Sequence, residues 1–320
     1  MEILVTGGSG FLGRHFIRRI IAEGGGDGLW NIDLVRSPDL PTHDIGDVVE
    51  FLEDFDKHID LVLHFAAPVG GRVRIEGDPM YNADSLRIDS AVFRWAITHA
   101  DTLVYPSSSA VYPVYMQAYR TPYGPLKEGI VRPQNEAWSQ PDEMYGFTKL
   151  AGEVLAWKAE GYGLNTLAIR PFSGYGPGQS FDYPVPSIAR RVILQETPLK
   201  IWGAGTQLRD FVHVDDIVEA TWARLMAGVE GYQTMNIASG LGVSFMDVAR
   251  IMWTMLYGND SDLVLETDSS KPMGVYQRIG DPTLMQTFYK ARMKSLNDGM
   301  ASVIVNVRER IELGDDGRTH

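Results

Sequence analysis

Apolar and polar positions follow two different periods along the first 170 residues of the chain. Short runs of branched apolar residues, as in Ile3-Leu4-Val5, are typical of buried parallel strands. Longer segments between them carry apolar residues at helical spacing. Strands are predicted at 1–5, 29–33, 61–67, 102–106 and 165–170, and helices after residue 10, at 89–100 and through 150–160. This alternation predicts an α/β fold built on a doubly wound parallel sheet.

The alternation becomes irregular after Pro171. Residues 171–208 hold many glycines and prolines, and the chain from residue 258 onward shifts between helix and loop. Between them, 211–229 returns to helical spacing. We therefore predict a main domain at 1–170 that is completed by about 209–240. A smaller C-terminal lobe, made of 171–208 and 241–320, is predicted to bind the substrate.

A glycine-rich turn lies between the first predicted strand and the first predicted helix. Gly7, Gly10 and Gly13 occur at intervals of three residues. Because glycine has no Cβ atom, such a turn lets the backbone approach a pyrophosphate at the helix N-terminus. Asp33, 20 residues past Gly13, stands where an acid hydrogen-bonds the ribose hydroxyls of NAD. The turn and the acid predict a Rossmann-type NAD-binding domain, although Arg36 nearby leaves NADP open.

Tyr145 and Lys149 are four residues apart in a segment with helical spacing. They therefore share one face of a helix. There the ammonium group favours the phenolate form of a side chain whose ordinary pKa is about 10. A phenolate can accept the proton of an alcohol while a nicotinamide takes the hydride. Together with the glycine turn, the pair predicts alcohol–ketone chemistry.

Composition and charge restrict the classes of function. The 320-residue chain has a formal net charge of −12 and no basic run, which argues against a nucleic-acid-binding surface. It has no cysteine, so disulfides, thiolate nucleophiles and cysteine metal sites are excluded, and no metal site is predicted. The first strand starts near residue 2, and no apolar stretch is long enough to span a membrane. We expect a soluble cytoplasmic protein without a membrane partner.

Further motifs follow one another in a recognisable order. In chain order they are His64-Phe65-Ala66-Ala67, 105–112 (YPSSSAVY), 145–149 (YGFTK), Arg170-Pro171-Phe172, 175–178 (YGPG), 203–205 and 209–216 (RDFVHVDD). With the GxxGxxG turn, they resemble the extended short-chain dehydrogenase/reductase family, in particular its NAD-dependent nucleotide-sugar epimerases and dehydratases. The resemblance extends to about residue 285.

The resemblance implies a role for each matching residue. Ser108, Tyr145 and Lys149 match the catalytic triad: the serine binds the reacting oxygen, the tyrosine moves the proton and the lysine binds the nicotinamide ribose. Ser107 and Ser109 are less favoured stand-ins for the serine. The residues implied in NAD binding are Gly7, Gly10, Phe11, Leu12, Gly13, Asp33, Asp44, Ile45, Phe65, Ala66, Ala67, Tyr145, Lys149 and Pro171. The residues implied in binding a nucleotide-diphosphate sugar are Ser109, Ser173, Arg209 and Arg278, with the two arginines on the diphosphate.

Residues absent from the motifs narrow the reaction. The similar 4,6-dehydratases carry an Asp-Glu pair where this chain has Ser109-Ala110. At the position of Ala110, the similar decarboxylases usually have glutamate and the similar C3/C5 epimerases have cysteine. Without these acid and base residues, hydride transfer is the reaction that the remaining motifs support. We therefore predict a nucleotide-sugar 4-epimerase that works through a transient 4-keto sugar with bound NAD. The open alternatives are an NAD(P)-dependent reductase or dehydrogenase of a nucleotide-linked keto-sugar and, less favoured, a C3/C5 epimerase.

Two departures and one unusual segment accompany these matches. Ser173 stands where the family usually has a substrate-binding asparagine, and Ser85 replaces a second frequent asparagine. The segment 112–123 is rich in tyrosine, and we interpret it either as a lid over the sugar or as a packed surface loop. Arg72 and Arg74 are interpreted either as substrate contacts or as part of a solvated loop.

Two predicted helices carry more apolar surface than one sheet can cover, which favours a homodimer. The residues concerned are Phe93, Trp95, Ile97, Leu150, Val154, Leu155 and Trp157.

Overall fold

A computed structural model of the protein describes residues 1–37, 40, 44–68, 70–71, 78, 80–134, 140–271 and 273–315. Arg72 and Arg74 lie outside the described residues. The strands are β1 (Ile3–Thr6), β2 (Leu29–Asp33), β3 (Asp44–Ile45), β4 (Ile59–His64), β5 (Ala100–Pro106), β6 (Asn165–Pro171), β7 (Gly174–Tyr175), β8 (Leu199–Trp202), β9 (Leu208–Arg209), β10 (Val212–His213), β11 (Tyr232–Ile237), β12 (Val243–Ser244), β13 (Leu265–Asp268) and β14 (Gln277–Arg278). The helices are α1 (Phe11–Ala22), α2 (Val48–Asp54), α3 (Tyr81–His99), α4 (Glu143–Ala159), α5 (Pro184–Ile193), α6 (Val214–Met226), α7 (Phe245–Tyr257), α8 (Met285–Phe288) and α9 (Leu296–Glu312).

The central sheet of the described chain has seven strands in the order β11-β6-β5-β4-β1-β2-β3. All of its neighbouring pairs are parallel. Successive residues of a strand point to opposite faces, so Ile3 and Val5 enter one core layer and Leu4 the other. Helices α1 and α6 cover the first face, while α2, α3 and α4 cover the second. The predicted doubly wound, Rossmann-type sheet is therefore confirmed.

Three small sheets, β12-β9-β14, β13-β8 and β10-β7, lie outside the central one. Helices α5, α7 and α9 share a third apolar core with strand β8. Most of this material comes from the segments assigned to the smaller lobe. The exact division of the chain into two domains stays a prediction.

Two helices differ from their predicted bounds. Helix α3 begins at Tyr81 rather than at Asp89, because Asn82, Ser85 and Asp89 point into the protein and break the apolar period. Helix α6 begins at Val214 rather than at Phe211, since the short strand β10 precedes it.

The residues proposed for a dimer contact divide into two groups. Phe93, Trp95 and Leu150 are buried inside the protomer, and Trp95 donates its indole hydrogen to the carbonyl of Phe55 at 2.8 Å. The half-buried residues are Ile97, Val154, Leu155 and Trp157. The homodimer stays a prediction that now depends on this second group.

No described helix combines the length and the apolar character that a membrane span requires.

Candidate active site

The predicted site residues collect at one edge of the central sheet. Strands β6, β5, β4 and β1 are consecutive neighbours and run in the same direction, so their carboxyl ends meet there. The residues that follow these strands are Phe172, Ser107, Phe65 and Gly7, and Pro171 is the last residue of β6. Ligands of open α/β sheets bind at this edge.

The glycine turn itself approaches the segment that follows β4. Gly7 has a φ of +73°, and a Cβ atom on it would lie 2.5 Å from the amide nitrogen of Ala66. A Cβ atom on Gly13 would lie 2.2 Å from the carbonyl oxygen of Gly7. Phe11 and Leu12 then open helix α1, whose N-cap residue Gly10 provides no side-chain cap. The first N–H groups of α1 are thus available for an anion such as a pyrophosphate.

Asp33 is held beside this turn. Its Oδ2 accepts a hydrogen bond from the amide of Ser9 at 2.8 Å, and its Oδ1 accepts one from the amide of Val35 at 3.2 Å. Strand β3 pairs with β2 so that Ile45 lies opposite Asp33, and both Asp44 and Ile45 are exposed. The acid and the β3 residues therefore lie together at the edge where the sequence predicts the adenosine half of NAD.

The segment after β4 is anchored to the end of β1. Phe65 donates its amide hydrogen to the carbonyl of Thr6 at 2.8 Å, and Ala66 donates to the hydroxyl of Thr6 at 3.3 Å. Phe65, Ala66 and Ala67 are half-buried. This segment lies beside the glycine turn, and its contact with NAD stays a prediction.

Of the three consecutive serines, only Ser108 is half-exposed. Its Oγ accepts a hydrogen bond from the amide of Ala110 at 3.1 Å, where it caps a single 3₁₀ turn. Ser107 and Ser109 are buried, and Ser107 donates its hydroxyl hydrogen to the carboxylate of Glu153. This arrangement favours Ser108 over its two neighbours as the serine that contacts substrate.

The serine segment touches the start of α4, which carries Tyr145. Asp142 donates its amide hydrogen to the carbonyl of Ala110 at 2.8 Å. A Cβ atom on Gly146 would lie 2.4 Å from the same carbonyl oxygen. Tyr145 is half-buried and precedes Gly146, so the turn of α4 that carries it lies against the serine segment.

Lys149 lies one turn further along α4 and is almost fully buried. Its Nζ is 6.0 Å from the centroid of the Tyr145 ring and 5.3 Å from that of the Tyr105 ring. Lys149 and Tyr145 therefore lie on the same face of α4.

The two arginines predicted to bind the diphosphate lie side by side, because β9 and β14 pair with Arg209 opposite Arg278. The guanidinium of Arg209 donates to the carbonyls of Leu208 at 2.9 Å and Met273 at 3.3 Å. Ser173 is half-buried in the loop after β6, and its carbonyl accepts from the amide of Val212.

Arg278 already has an anionic partner. Its guanidinium donates to Asp142 Oδ2 at 2.8 Å and to Gln117 Oε1 at 2.6 Å. A diphosphate at Arg278 would therefore share the guanidinium with Asp142. Since Asp142 precedes the helix of Tyr145, this pair also joins the small sheet β12-β9-β14 to the catalytic helix.

The tyrosine-rich segment 112–123 is partly core and partly surface. Tyr112 is fully buried and donates to Asn236 Oδ1 at 2.6 Å, so it does not belong to a lid. Tyr115, Tyr119 and Tyr123 are exposed.

Two further features were not predicted from the sequence. Burial raises the pKa of Tyr183, the residue just before α5, and the phenols of Tyr145 and Tyr81 raise it further. An isolated tyrosine in a segment rich in Gly and Pro gives no motif that could signal this position. Glu153 and Arg170 form a fully buried ion pair, with Nε–Oε1 at 2.7 Å and Nη2–Oε2 at 2.6 Å.

Comparison with known proteins assigns the family. The sequence profile of the NAD dependent epimerase/dehydratase family matches residues 3–238. The chain belongs to this family. The dTDP-4-dehydro-6-deoxy-D-allose reductase of Streptomyces bikiniensis is 28% identical over 318 residues, which cover 93% of each chain. GDP-L-fucose synthase 1 of Arabidopsis thaliana is 27% identical, with 94% of this chain and 91% of that protein covered.

A solved structure has a similar fold and sequence. MoeE5 in complex with UDP-glucuronic acid and NAD has a TM-score of 0.79 and 27% identity, covering 97% of this chain and 99% of MoeE5. The NAD-dependent epimerase/dehydratase family, its Rossmann-type fold and its NAD cofactor are thereby confirmed for this chain. It is an enzyme of the group that comprises nucleotide-sugar epimerases, dehydratases and reductases.

Proposed function

We propose that the protein is a nucleotide-sugar 4-epimerase that moves a hydride from C4 of the sugar to NAD and returns it to the opposite face. The observation that carries this proposal is the contact at Ala110. There, the segment with the half-exposed Ser108 lies against the start of helix α4, which carries Tyr145. Ala110 itself is 2% exposed and carries no acid or base. Elimination of water and proton abstraction at C3 or C5 both require such a group at this position in the similar enzymes, whereas hydride transfer does not.

Each residue of the triad has a defined task. Ser108 Oγ binds the oxygen on C4, and the phenolate of Tyr145 accepts the hydroxyl proton. Lys149 binds the nicotinamide ribose and favours the phenolate. NAD, when bound along the glycine turn, supplies the hydride acceptor. The 4-keto sugar turns over in the site, and Tyr145 then returns the proton.

Arg209 and Arg278 are proposed to bind the diphosphate of the substrate. Their register on adjacent strands places two cations side by side, and guanidinium groups bind phosphate oxygens with bidentate geometry. MoeE5, whose solved complex holds UDP-glucuronic acid, supports a nucleotide-diphosphate sugar as the substrate class.

A second candidate is a reductase of a nucleotide-linked keto-sugar. The 28% identical Streptomyces bikiniensis protein, a dTDP-4-dehydro-6-deoxy-D-allose reductase, favours this reaction. Both reactions use the same triad. They differ in whether NAD and the keto-sugar leave the site between hydride transfers.

Native mass spectrometry with a nucleotide-release assay, followed by incubation with UDP-, GDP- and dTDP-hexoses, separates the two candidates. NAD that co-purifies with the protein, together with a new sugar epimer formed without added cofactor, is the expected result. A protein that is purified empty and consumes NADH or NADPH with a 4-keto sugar would instead be the reductase.

Tyr145→Phe removes the proposed proton acceptor and should lower kcat by roughly 10² to 10⁴-fold while bound NAD is retained. Tyr162→Phe, at an exposed position just after the same helix, is the matched control and should leave kcat unchanged. Equal rates in the Tyr145→Phe and wild-type proteins would contradict the assignment.

A further inference from the structure

A hydrogen-bonded series of buried polar side chains extends from the end of β1, beside the glycine turn, towards Lys149. Its members are Thr6 on β1, His64 on β4, Asp89 on α3 and Tyr105 on β5, and none is more than 1% exposed. Thr6 Oγ1 lies 2.7 Å from His64 Nδ1, and His64 Nε2 lies 3.1 Å from Asp89 Oδ1. Tyr105 donates its hydroxyl hydrogen to Asp89 Oδ2 at 2.7 Å. The triad chemistry described above uses none of these four side chains.

Asp89 and Lys149 both lie beside Tyr105. Burial raises the pKa of the Asp89 carboxyl, but the hydrogen bond with His64 and the charge of Lys149 more than offset this, and the pKa is lowered overall. Lys149 Nζ lies 5.3 Å from the ring centroid of Tyr105, whose hydroxyl is bound to Asp89. A buried ammonium group without a counter-charge is costly, so this carboxylate stabilises it.

The packing of helix α4 leaves room for the Tyr105 hydroxyl group that binds Asp89. Helix α4 has a glycine, Gly152, where the Tyr105 hydroxyl approaches, and a Cβ atom there would lie 1.9 Å from the hydroxyl oxygen. A second carboxylate near Tyr105, that of Glu153, is already paired with Arg170. Of these two carboxylates, Asp89 is therefore the one that is not paired with an arginine.

We propose that Asp89 is a positioning residue of the active site, whose carboxylate is the buried counter-charge of the Lys149 ammonium group. This inference rests on the proposed roles of Tyr145 and Lys149. Without this counter-charge, the buried ammonium group that assists Tyr145 would be destabilised. The sequence gives no motif for this role, because the aspartate lies on a different helix from the lysine.

The test compares Asp89→Asn with Asp84→Asn, which removes the same charge from an exposed position on the same helix. The protonation of Lys149 is followed by competitive acetylation with acetic anhydride as a function of pH, quantified by mass spectrometry. In D89N, the midpoint at which Lys149 becomes reactive should fall by about one pH unit. In D84N it should not move. The alkaline limb of the kcat/KM profile should shift to lower pH by the same amount in D89N alone.

A D89N midpoint equal to that of D84N would overturn the inference. Acetylation needs no turnover, so a shifted midpoint in a protein without nucleotide-sugar activity would leave this inference intact and overturn only the proposed function. If D89N does not fold, the second test is the D89N K149M double variant. It should recover the fold because the uncompensated charge is gone, and its failure to fold would overturn the inference.

Discussion

At the scale of single residues, the buried pair Glu153–Arg170 connects the parts of the site. Arg170 at the end of β6 also donates to the Tyr112 hydroxyl at 3.1 Å and to the carbonyl of Val131 at 2.9 Å. Glu153 lies one turn beyond Lys149 on α4 and accepts from the Ser107 hydroxyl. The burial of Arg170 lowers its pKa, but the carboxylate of Glu153 reverses this effect, and the pKa is raised. The pair therefore fixes the serine segment relative to the catalytic helix.

Glu153→Gln should lower the free energy of unfolding by about 3–5 kcal/mol, because it leaves the guanidinium of Arg170 buried without a counter-charge. Urea unfolding followed by circular dichroism measures this loss. Glu53→Gln, at an exposed position on α2, is the control and should change stability by less than about 0.5 kcal/mol. Similar losses in the two variants would show that the buried pair adds no stability.

Arg209→Ala should raise KM for a nucleotide sugar by about 10- to 100-fold, because it removes charge-assisted hydrogen bonds to the diphosphate. Steady-state kinetics measures the change, and kcat should be affected less. Arg292→Ala, at an exposed position, is the charge-matched control. An unchanged KM in the Arg209 variant would contradict the diphosphate assignment.

At the scale of elements, the turn between β1 and α1 has no space for a side chain at Gly7 or Gly8. The amide of Gly7 donates to the carbonyl of Ile32 at 2.9 Å, and the amide of Gly10 donates to the carbonyl of Gly7 at 3.1 Å. The turn thereby fixes the direction of α1 and of its free N–H groups. A cofactor bound at this helix end depends on a geometry that only small residues permit.

Gly13→Ala should weaken NAD binding by at least about 10-fold, because its Cβ atom would press on the carbonyl of Gly7 and displace the turn. Gly26→Ala is the matched control, since a Cβ atom there meets open space. Isothermal titration of NAD into protein stripped of nucleotide compares the two. Equal affinities would mean that the pyrophosphate binds elsewhere.

Strands and helices could be predicted from the sequence where the pattern of apolar residues was regular. The inner strands β1, β4, β5 and β6 are largely buried, so their apolar runs mark them in the sequence. The edge strands β3 and β11 have no such run and were not predicted. Helix α3 was predicted too short, because Asn82, Ser85 and Asp89 face the interior and imitate a solvated surface. The motifs also located the candidate site residues that follow the strands, and their roles stay predictions. The ion pair of Arg278 with Asp142 could not, since no local pattern relates residues so distant in the chain.

At the scale of the whole molecule, His213 links α6 to α9. Its Nδ1 accepts from the amide of Asp215 at 3.2 Å, and its Nε2 lies 3.1 Å from Ser302 Oγ. Burial lowers the pKa of His213 to about 4. The folded protein thus holds this imidazole neutral at a pH where the unfolded chain, with a pKa near 6.5, takes up a proton.

The His213 contribution to stability is complete above the unfolded pKa and is lost as pH falls towards the folded pKa. Between pH 7 and pH 5, the free energy of unfolding should fall by about 2 kcal/mol from this group. His213→Asn should remove most of that pH dependence in urea unfolding series, whereas His58→Asn, at an exposed position, should keep it. If the free energy of unfolding depends on pH equally in the His213 variant and in the wild type, His213 is not the source of that dependence.

Strand β6 acquires its outer neighbour late in the chain, and this has a consequence for biosynthesis. β6 pairs with β5 on one side and with β11 on the other, but β11 follows both α5 and α6 in the sequence. Until residue 237 has left the ribosome, the apolar segment Leu167-Ala168-Ile169 stands at an open sheet edge. Such an edge is a template for pairing with other nascent chains. During synthesis, chaperone binding therefore matters most while this edge is open. The stage ends when β11 pairs with β6.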